Sequence, residues 1–109
     1  MKTIYLVMGT AGEYSDRTEW PVVAYLESHL AEEHVTLATQ EANRLWEEVD
    51  KIYEKPYAKF YEYLEQNKNP YDLEMQTSYH YRPSYFIYVI ELEEGNKVTK
   101  LIGENTNGT

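Results

Sequence analysis

A chain of 109 residues with 19 acidic and 10 basic side chains, a net charge of −9, has the size of one domain and room for one core. It contains no cysteine, which excludes disulfides, thiolate metal sites and cysteine nucleophiles. A negative field of this size disfavours direct binding to nucleic-acid backbones or anionic membranes; it serves solubility and suits a basic protein partner.

The opening residues predict a largely buried strand over 3–8 (Thr-Ile-Tyr-Leu-Val-Met), closed by Gly9. Glu13 and Asp16 follow too soon for the apolar core of a signal peptide. No stretch approaches the ~20 apolar residues of a membrane span, so the expected location is the cytoplasm. Residues 9–19 read as a polar loop with two glycines, and 20–26 (Trp-Pro-Val-Val-Ala-Tyr-Leu) as a second strand. Pro21 cannot donate to a sheet ladder, so it belongs at that strand's start or on an edge.

Ser28 is placed to cap a long helix over 29–54. Leu30, His34, Leu37, Ala38, Leu45, Val49 and Ile52 recur at three- and four-residue steps and form its predicted apolar stripe. Such a helix would be close to ~40 Å long, so it either overhangs the sheet or breaks near Thr36–Thr39. Pro56 opens a second helix, 56–66, with Tyr57, Phe60, Tyr61 and Leu64 facing inward. Residues 67–72 (Asn-Lys-Asn-Pro-Tyr-Asp) stop that helix and turn the chain. The stretch to Pro83 reads as irregular, 84–92 (Ser-Tyr-Phe-Ile-Tyr-Val-Ile-Glu-Leu) as the strongest strand, and 97–102 as its hairpin partner after Glu94-Gly95-Asn96. The expected fold is α+β in ββααββ order, a mainly antiparallel sheet of about four strands with two helices on one face. Residues 1–103 make the domain and 104–109 a disordered tail.

Twelve tyrosines, two tryptophans and two phenylalanines give broad, rigid contact surfaces with polar tips, which favours a binding role. The loop Gly12-Glu-Tyr-Ser-Asp-Arg17 is the foremost candidate site. Arg17 offers a planar donor fork, Asp16 an acceptor and Tyr14 a stacking face. The competing reading is a self-contained turn, with Ser15 and Asp16 bonded to local backbone and Arg17 paired with a carboxylate.

Catalytic constellations are not found. Ser15 and Asp16 are adjacent and lack a nucleophile elbow. His29 and His34, five apart on a helix, sit roughly 140° around its axis and form no metal pair. His34 falls on the apolar stripe and reads as a satisfied core histidine, while His80, amid Tyr79, Tyr81 and Arg82, is a site candidate. The helix acids surround a polar face, without the opposed environments that acid/base catalysis needs. Neither calcium-loop spacing nor a phosphate-binding glycine loop occurs, and no metal or cofactor is called for. Tyr79, Tyr81, Tyr85 and Tyr88 have no basic groove beside them for nucleobase stacking and read better as core tyrosines.

With these segments placed, the chain resembles a family of small uncharacterised phage and prophage proteins. The resemblance rests on a first strand running into Gly12-Glu-Tyr-Ser-Asp-Arg17, then Trp20 with Val22-Val-Ala-Tyr25. Asn69-Pro-Tyr-Asp72 with Met75 follows, then the tyrosine-rich strand ending Val89-Ile-Glu-Leu92. It implies a phage or mobile-element origin, the cytoplasm of a bacterial host and a ββααββ-like organisation, and it brings no activity with it. Segment 76–83 is less regular than the family pattern, which weakens any role carried over to His80 or Arg82.

The leading expectation is a non-enzymatic phage-type accessory protein that binds a host or phage macromolecule, with counter-defence as one form of that role. A protein partner is expected, with no direct nucleic acid and no membrane, and a homodimer is left open. The contact residues named for it are Tyr14, Ser15, Asp16, Arg17, Trp20, Tyr71, Asp72 and His80. Two alternatives stand beside it. One is a nucleotide- or small-ligand-binding module using Arg17 with Tyr14 or Tyr71. The other is an acidic mimic of nucleic acid. The segments Gly12–Arg17 and Asn69–Asp72 are expected to converge at one end of the sheet.

Overall fold

The computed structural model describes residues 2–52, 58–76, 81–92 and 98–105. The fold is α+β: β1 (Lys2–Ala11), β2 (Thr18–Tyr25), α1 (Ser28–Lys51), α2 (Ala58–Gln66), β3 (Ser84–Leu92) and β4 (Val98–Asn105). The strands form an antiparallel sheet in the spatial order β2-β1-β3-β4. β1 is thus paired on both sides, and its ladder with β3 runs without a shift from Lys2↔Leu92 to Thr10↔Ser84.

Several boundaries differ from the sequence reading. Gly9 does not end β1, which continues to Ala11, so the loop shrinks to residues 12–17. β2 starts two residues early, at Thr18. The last strand runs through Asn105, and two residues assigned to a tail lie in the sheet. The helix begins at Ser28 itself, and its N-cap is Glu27, without a side-chain capping bond. The predicted start of the second helix, including Pro56 and Tyr57, lies outside the described residues.

Pro21 sits on the edge strand, where no neighbour asks for its missing N–H. There Val7 pairs with Val23 and Met8 with Pro21, so Val22 is the extra residue of a bulge. One residue further on, Trp20 lies opposite Gly9 and its indole folds flat across that glycine. A Cβ added at Gly9 would stand 2.5 Å from the Trp20 ring. Glycine is needed here for close approach, not for turning the chain.

α1 is continuous over 24 residues and does not break near Thr36–Thr39. Its buried stripe is Ala31, Val35, Ala38, Ala42, Leu45, Trp46 and Val49. This corrects the predicted stripe in part: Ala38, Leu45 and Val49 are buried as expected, but Leu30 is 39% exposed, and the half that meets the sheet is Ala31, Val35, Ala38 and Ala42. Alanine at 31, 38 and 42 lets the helix approach the bulky Tyr85 and Ile87 of β3 and Val7 of β1. The second half of the stripe does something else. Leu45, Trp46 and Val49 pack with Phe60 and Leu64 of α2, and Trp46 meets Phe60 edge to face at 6.3 Å. α2 therefore packs chiefly on α1, correcting the expectation of two helices laid on the sheet. Tyr61, expected inward, is 46% exposed.

Gly9→Ala should push the Trp20 indole off the strand and cost roughly 2 kcal/mol or more, in the range of overpacked core sites. Chemical denaturation of the variant against wild type measures it; a loss below a few tenths of a kcal/mol would contradict the close-approach role.

Candidate functional site

Two polar regions stand out, and they are built differently. The first is the tip of the β1–β2 hairpin. Gly12 turns the chain at φ +92, in a space where a Cβ would meet the Asp16 carbonyl oxygen at 2.4 Å. Residues 14–16 then form one short 3-10 turn, closed by Asp16 N–H to Glu13 O at 3.0 Å and Arg17 N–H to Tyr14 O at 3.2 Å. Tyr14 takes φ 53, a conformation that costs a non-glycine residue roughly 1–2 kcal/mol. Its side chain is 95% exposed, so no packing offsets that cost.

Arg17 is held rather than free. Its Nε donates to Thr10 Oγ1 at 3.3 Å and its guanidinium pairs with Glu19 at 3.2 Å. Thr10 in turn donates to the Thr18 carbonyl at 3.0 Å, across the strand pair. Ser15 and Asp16 are exposed. Thr10, Gly12, Glu13, Tyr14 and Arg17 line an open concavity of about 710 Å³.

The second region is buried and centres on Asp72. Trp20 Nε1–H donates to both carboxylate oxygens, at 3.1 and 3.0 Å, and Tyr85 O–H donates to Oδ2 at 2.7 Å. Asn69 brings the turn into place. Its Oδ1 accepts from Tyr71 N–H at 2.9 Å, while its Nδ2 donates to Ala38 O of α1 at 3.1 Å and reaches the Tyr85 hydroxyl at 3.4 Å. Asp72 N–H closes the turn on Asn69 O at 3.0 Å. Burial drives the Asp72 carboxyl upward from its ordinary value, against the downward pull of the Tyr85 and Trp20 hydrogen bonds and the nearby His34. Tyr85 is raised as well, by its own burial and by the Asp72 charge.

His34 extends the network toward solvent. Its Nε2 lies 2.7 Å from the Tyr71 carbonyl, which only accepts, so Nε2 carries the proton. In the neutral ring Nδ1 then accepts from the Tyr25 hydroxyl, 2.8 Å away. The expected satisfied histidine is found, though half-buried rather than in the deep core. Beside it a concavity of about 310 Å³ is lined by Pro21, Val22, His34, Pro70, Tyr71, Asp72, Leu73 and Glu74.

The predicted candidates thus separate. Tyr14, Ser15, Asp16 and Arg17 form the exposed tip. Trp20 and Asp72, 3% and 2% exposed, are internal braces rather than contact surface. Tyr71 is half-buried against His34, its ring edge to face at 5.8 Å, and His80 lies outside the described residues. The two concavities share no lining residue, so Arg17 and Tyr71 do not belong to one pocket. Nothing local in the sequence marks Tyr85 and Asn69 as members of this network. Asn69 was visible inside Asn-Pro-Tyr-Asp, but Tyr85 read as one more core tyrosine.

Among the described residues no cluster of three or more His, Asp or Glu is arranged to hold a metal. No helix among them is long and apolar enough to cross a membrane. Every polar atom of Asp72 and His34 is engaged with protein, which suits a brace and leaves no ready base or nucleophile there. Comparison of the chain with protein-family models, curated proteins and solved structures returned no match.

Asp72→Ala should destabilise the fold by about 2–4 kcal/mol, because it orphans the Trp20 and Tyr85 donors. The pH dependence has a definite sign. A carboxyl raised in the folded state contributes stability that is fully present below its unfolded value near 3.8 and is lost as pH rises. The stability gap between wild type and Asp72→Ala should therefore widen as pH falls from 7 and level off below about 3.8. A gap that narrows on acidification would show the carboxyl to be depressed instead.

Proposed function

We propose that this chain is a non-enzymatic binding module of phage or prophage type, working in the bacterial cytoplasm, whose β1–β2 hairpin tip contacts a host or phage macromolecule. The observation that carries this reading is Tyr14: 95% exposed, at positive φ, on a tip held by backbone bonds. A large aromatic kept in a costly backbone conformation without internal packing is a feature that stability alone does not maintain. Tyrosine so presented supplies a broad contact with little further ordering on binding. Thr10 and Glu19 fix Arg17 beside it, so a partner meets a preset arrangement of aromatic, cation and acid. A protein that counters a host defence by occupying a component of it is one form of this role.

A nucleotide or other anionic aromatic ligand is the second reading, favoured by Arg17 and Tyr14 lining one concavity of about 710 Å³. The pairing of Arg17 with Glu19 and the presence of Glu13 at the rim weigh against it. The acidic-mimic reading has less support, since Glu41 pairs with Arg44 and Glu48 with Lys51 along α1, which interrupts a continuous negative track.

Tyr14→Gly separates these roles from a merely structural turn. It should leave stability unchanged or raise it by about 0.5–1 kcal/mol by relieving the positive φ, while weakening partner binding at least roughly tenfold. Quantitative capture from host lysate with wild-type and variant protein reads the second effect. If every captured protein is retained equally by both, the tip is not the contact surface. Nucleotide-dependent thermal stabilisation lost in Arg17→Ala would transfer the assignment to the second reading.

A further inference from the structure

The hairpin tip carries an aromatic ring and a carboxylate that the fold itself does not use. Tyr14 is 95% exposed, so nearly the whole of its ring is open to contact. Glu13, in the same concavity, is exposed, makes no side-chain capping bond and has no ion-pair partner among the described residues. The cation of this concavity is already committed, since Arg17 gives Nε to Thr10 and a terminal nitrogen to Glu19. Thr10 and Gly12 complete the lining and add no bulky apolar side chain.

Each class of ligand meets these groups differently. An apolar side chain would have only the Tyr14 ring to pack on, with polar groups around it. An anion would have to take Arg17 from Glu19 and then stand beside Glu13, two carboxylates against one guanidinium. A cation meets an open π face and an unpaired carboxylate together. A guanidinium or ammonium within about 6 Å of a tyrosine ring is attracted by the ring's quadrupole, and a neighbouring carboxylate adds a charge-assisted hydrogen bond. The net charge of −9 acts in the same direction at longer range, by drawing basic surfaces toward the chain.

We propose that the tip receives an arginine or lysine side chain from a basic segment of its protein partner, stacked on Tyr14 and paired with Glu13; this rests on the hairpin-tip reading above. Arginine suits the site better, because its planar fork can lie on the ring while its edge donates to a carboxylate. The Arg17–Glu19 pair has a part in this selection. By holding Arg17 on Glu19 it leaves the Glu13 carboxylate unneutralised and open to a cation from outside.

NMR titration of the isotope-labelled full chain with a short arginine-rich peptide tests the proposal, with a glutamate-rich peptide of equal length as control. The arginine peptide should shift the backbone amides of residues 12–17, with an affinity on the order of millimolar that weakens as salt is raised. Tyr14→Leu should weaken binding roughly two- to fivefold, while Tyr14→Phe, which keeps a ring, retains most of it. Glu13→Gln should weaken it by roughly twofold. Circular dichroism checks that each variant still folds. The proposal is overturned if residues 12–17 do not shift, if the glutamate peptide shifts them equally, or if binding ignores both Tyr14→Leu and Glu13→Gln. ATP that shifts these amides where the arginine peptide does not would assign the concavity to an anion and overturn it too. Lysate capture separates this inference from the reading beneath it. Capture that depends on Tyr14 but ignores both Glu13→Gln and salt removes the cationic partner and leaves the tip as contact surface; capture indifferent to Tyr14→Gly removes the tip itself.

Discussion

One buried carboxylate ties the structure together. Asp72 accepts from Trp20 on β2 and Tyr85 on β3, strands separated in the sheet by β1, and it belongs to a turn anchored on α1 through Asn69. Two strands thus meet at one side chain, and the turn that carries it ties them to the helix through Asn69. A carboxylate taken out of water is costly unless its oxygens are occupied by donors. Here the donors are an indole and a phenol, neutral groups that satisfy the oxygens without neutralising the charge. The carboxyl consequently remains raised, and the contact contributes specificity of arrangement more than net stability.

The reach of Trp20 to this carboxylate imposes a second constraint. The indole must cross β1 to meet Asp72, and it crosses at Gly9, where a Cβ would occupy its ring. The bulge at Val22 lies next to this crossing and reorients the edge strand as it passes Pro21. Glycine, bulge, indole and carboxylate are therefore one device, and the alanine face of α1 belongs with it. Only small side chains at 31, 38 and 42 let the helix lie close enough for Asn69 to bond the Ala38 carbonyl while touching Tyr85.

Local rules make part of this fold legible in the sequence. β3 matches its predicted limits because alternation, β-branching and aromatic content all agree over 84–92. In α1 the periodicity places Ala38, Leu45 and Val49 correctly, but Leu30 draws the predicted stripe toward solvent, whereas close packing on a tyrosine-bearing sheet also selects Ala31, Val35 and Ala42. Trp20 and Asp72 stand out in the sequence but read as surface residues, whereas both are buried. Their partnership spans 52 positions, and no local period reports a hydrogen bond of that separation. The tip fared better in placement than in detail: Gly12 to Arg17 reads as a turn from composition, but the positive φ at Tyr14 is invisible in a residue type that rarely adopts it.

Separating brace from surface also explains how so many aromatics serve one small domain. Tyr85 and Trp20 face inward and spend their polar atoms on Asp72; Tyr25 and Tyr71 flank His34 at the margin. Tyr14 alone among these stands almost wholly in solvent. The inward tyrosines hold the sheet, the sheet holds the hairpin, and the hairpin fixes the tip through Thr10, Arg17 and Glu19. Under the proposed function, a partner at the tip would meet a surface whose ordering was completed on folding, which lowers the entropy lost on contact. Rigidity at Asp72 is in this sense upstream of the recognition proposed for Tyr14, although no hydrogen bond joins the two.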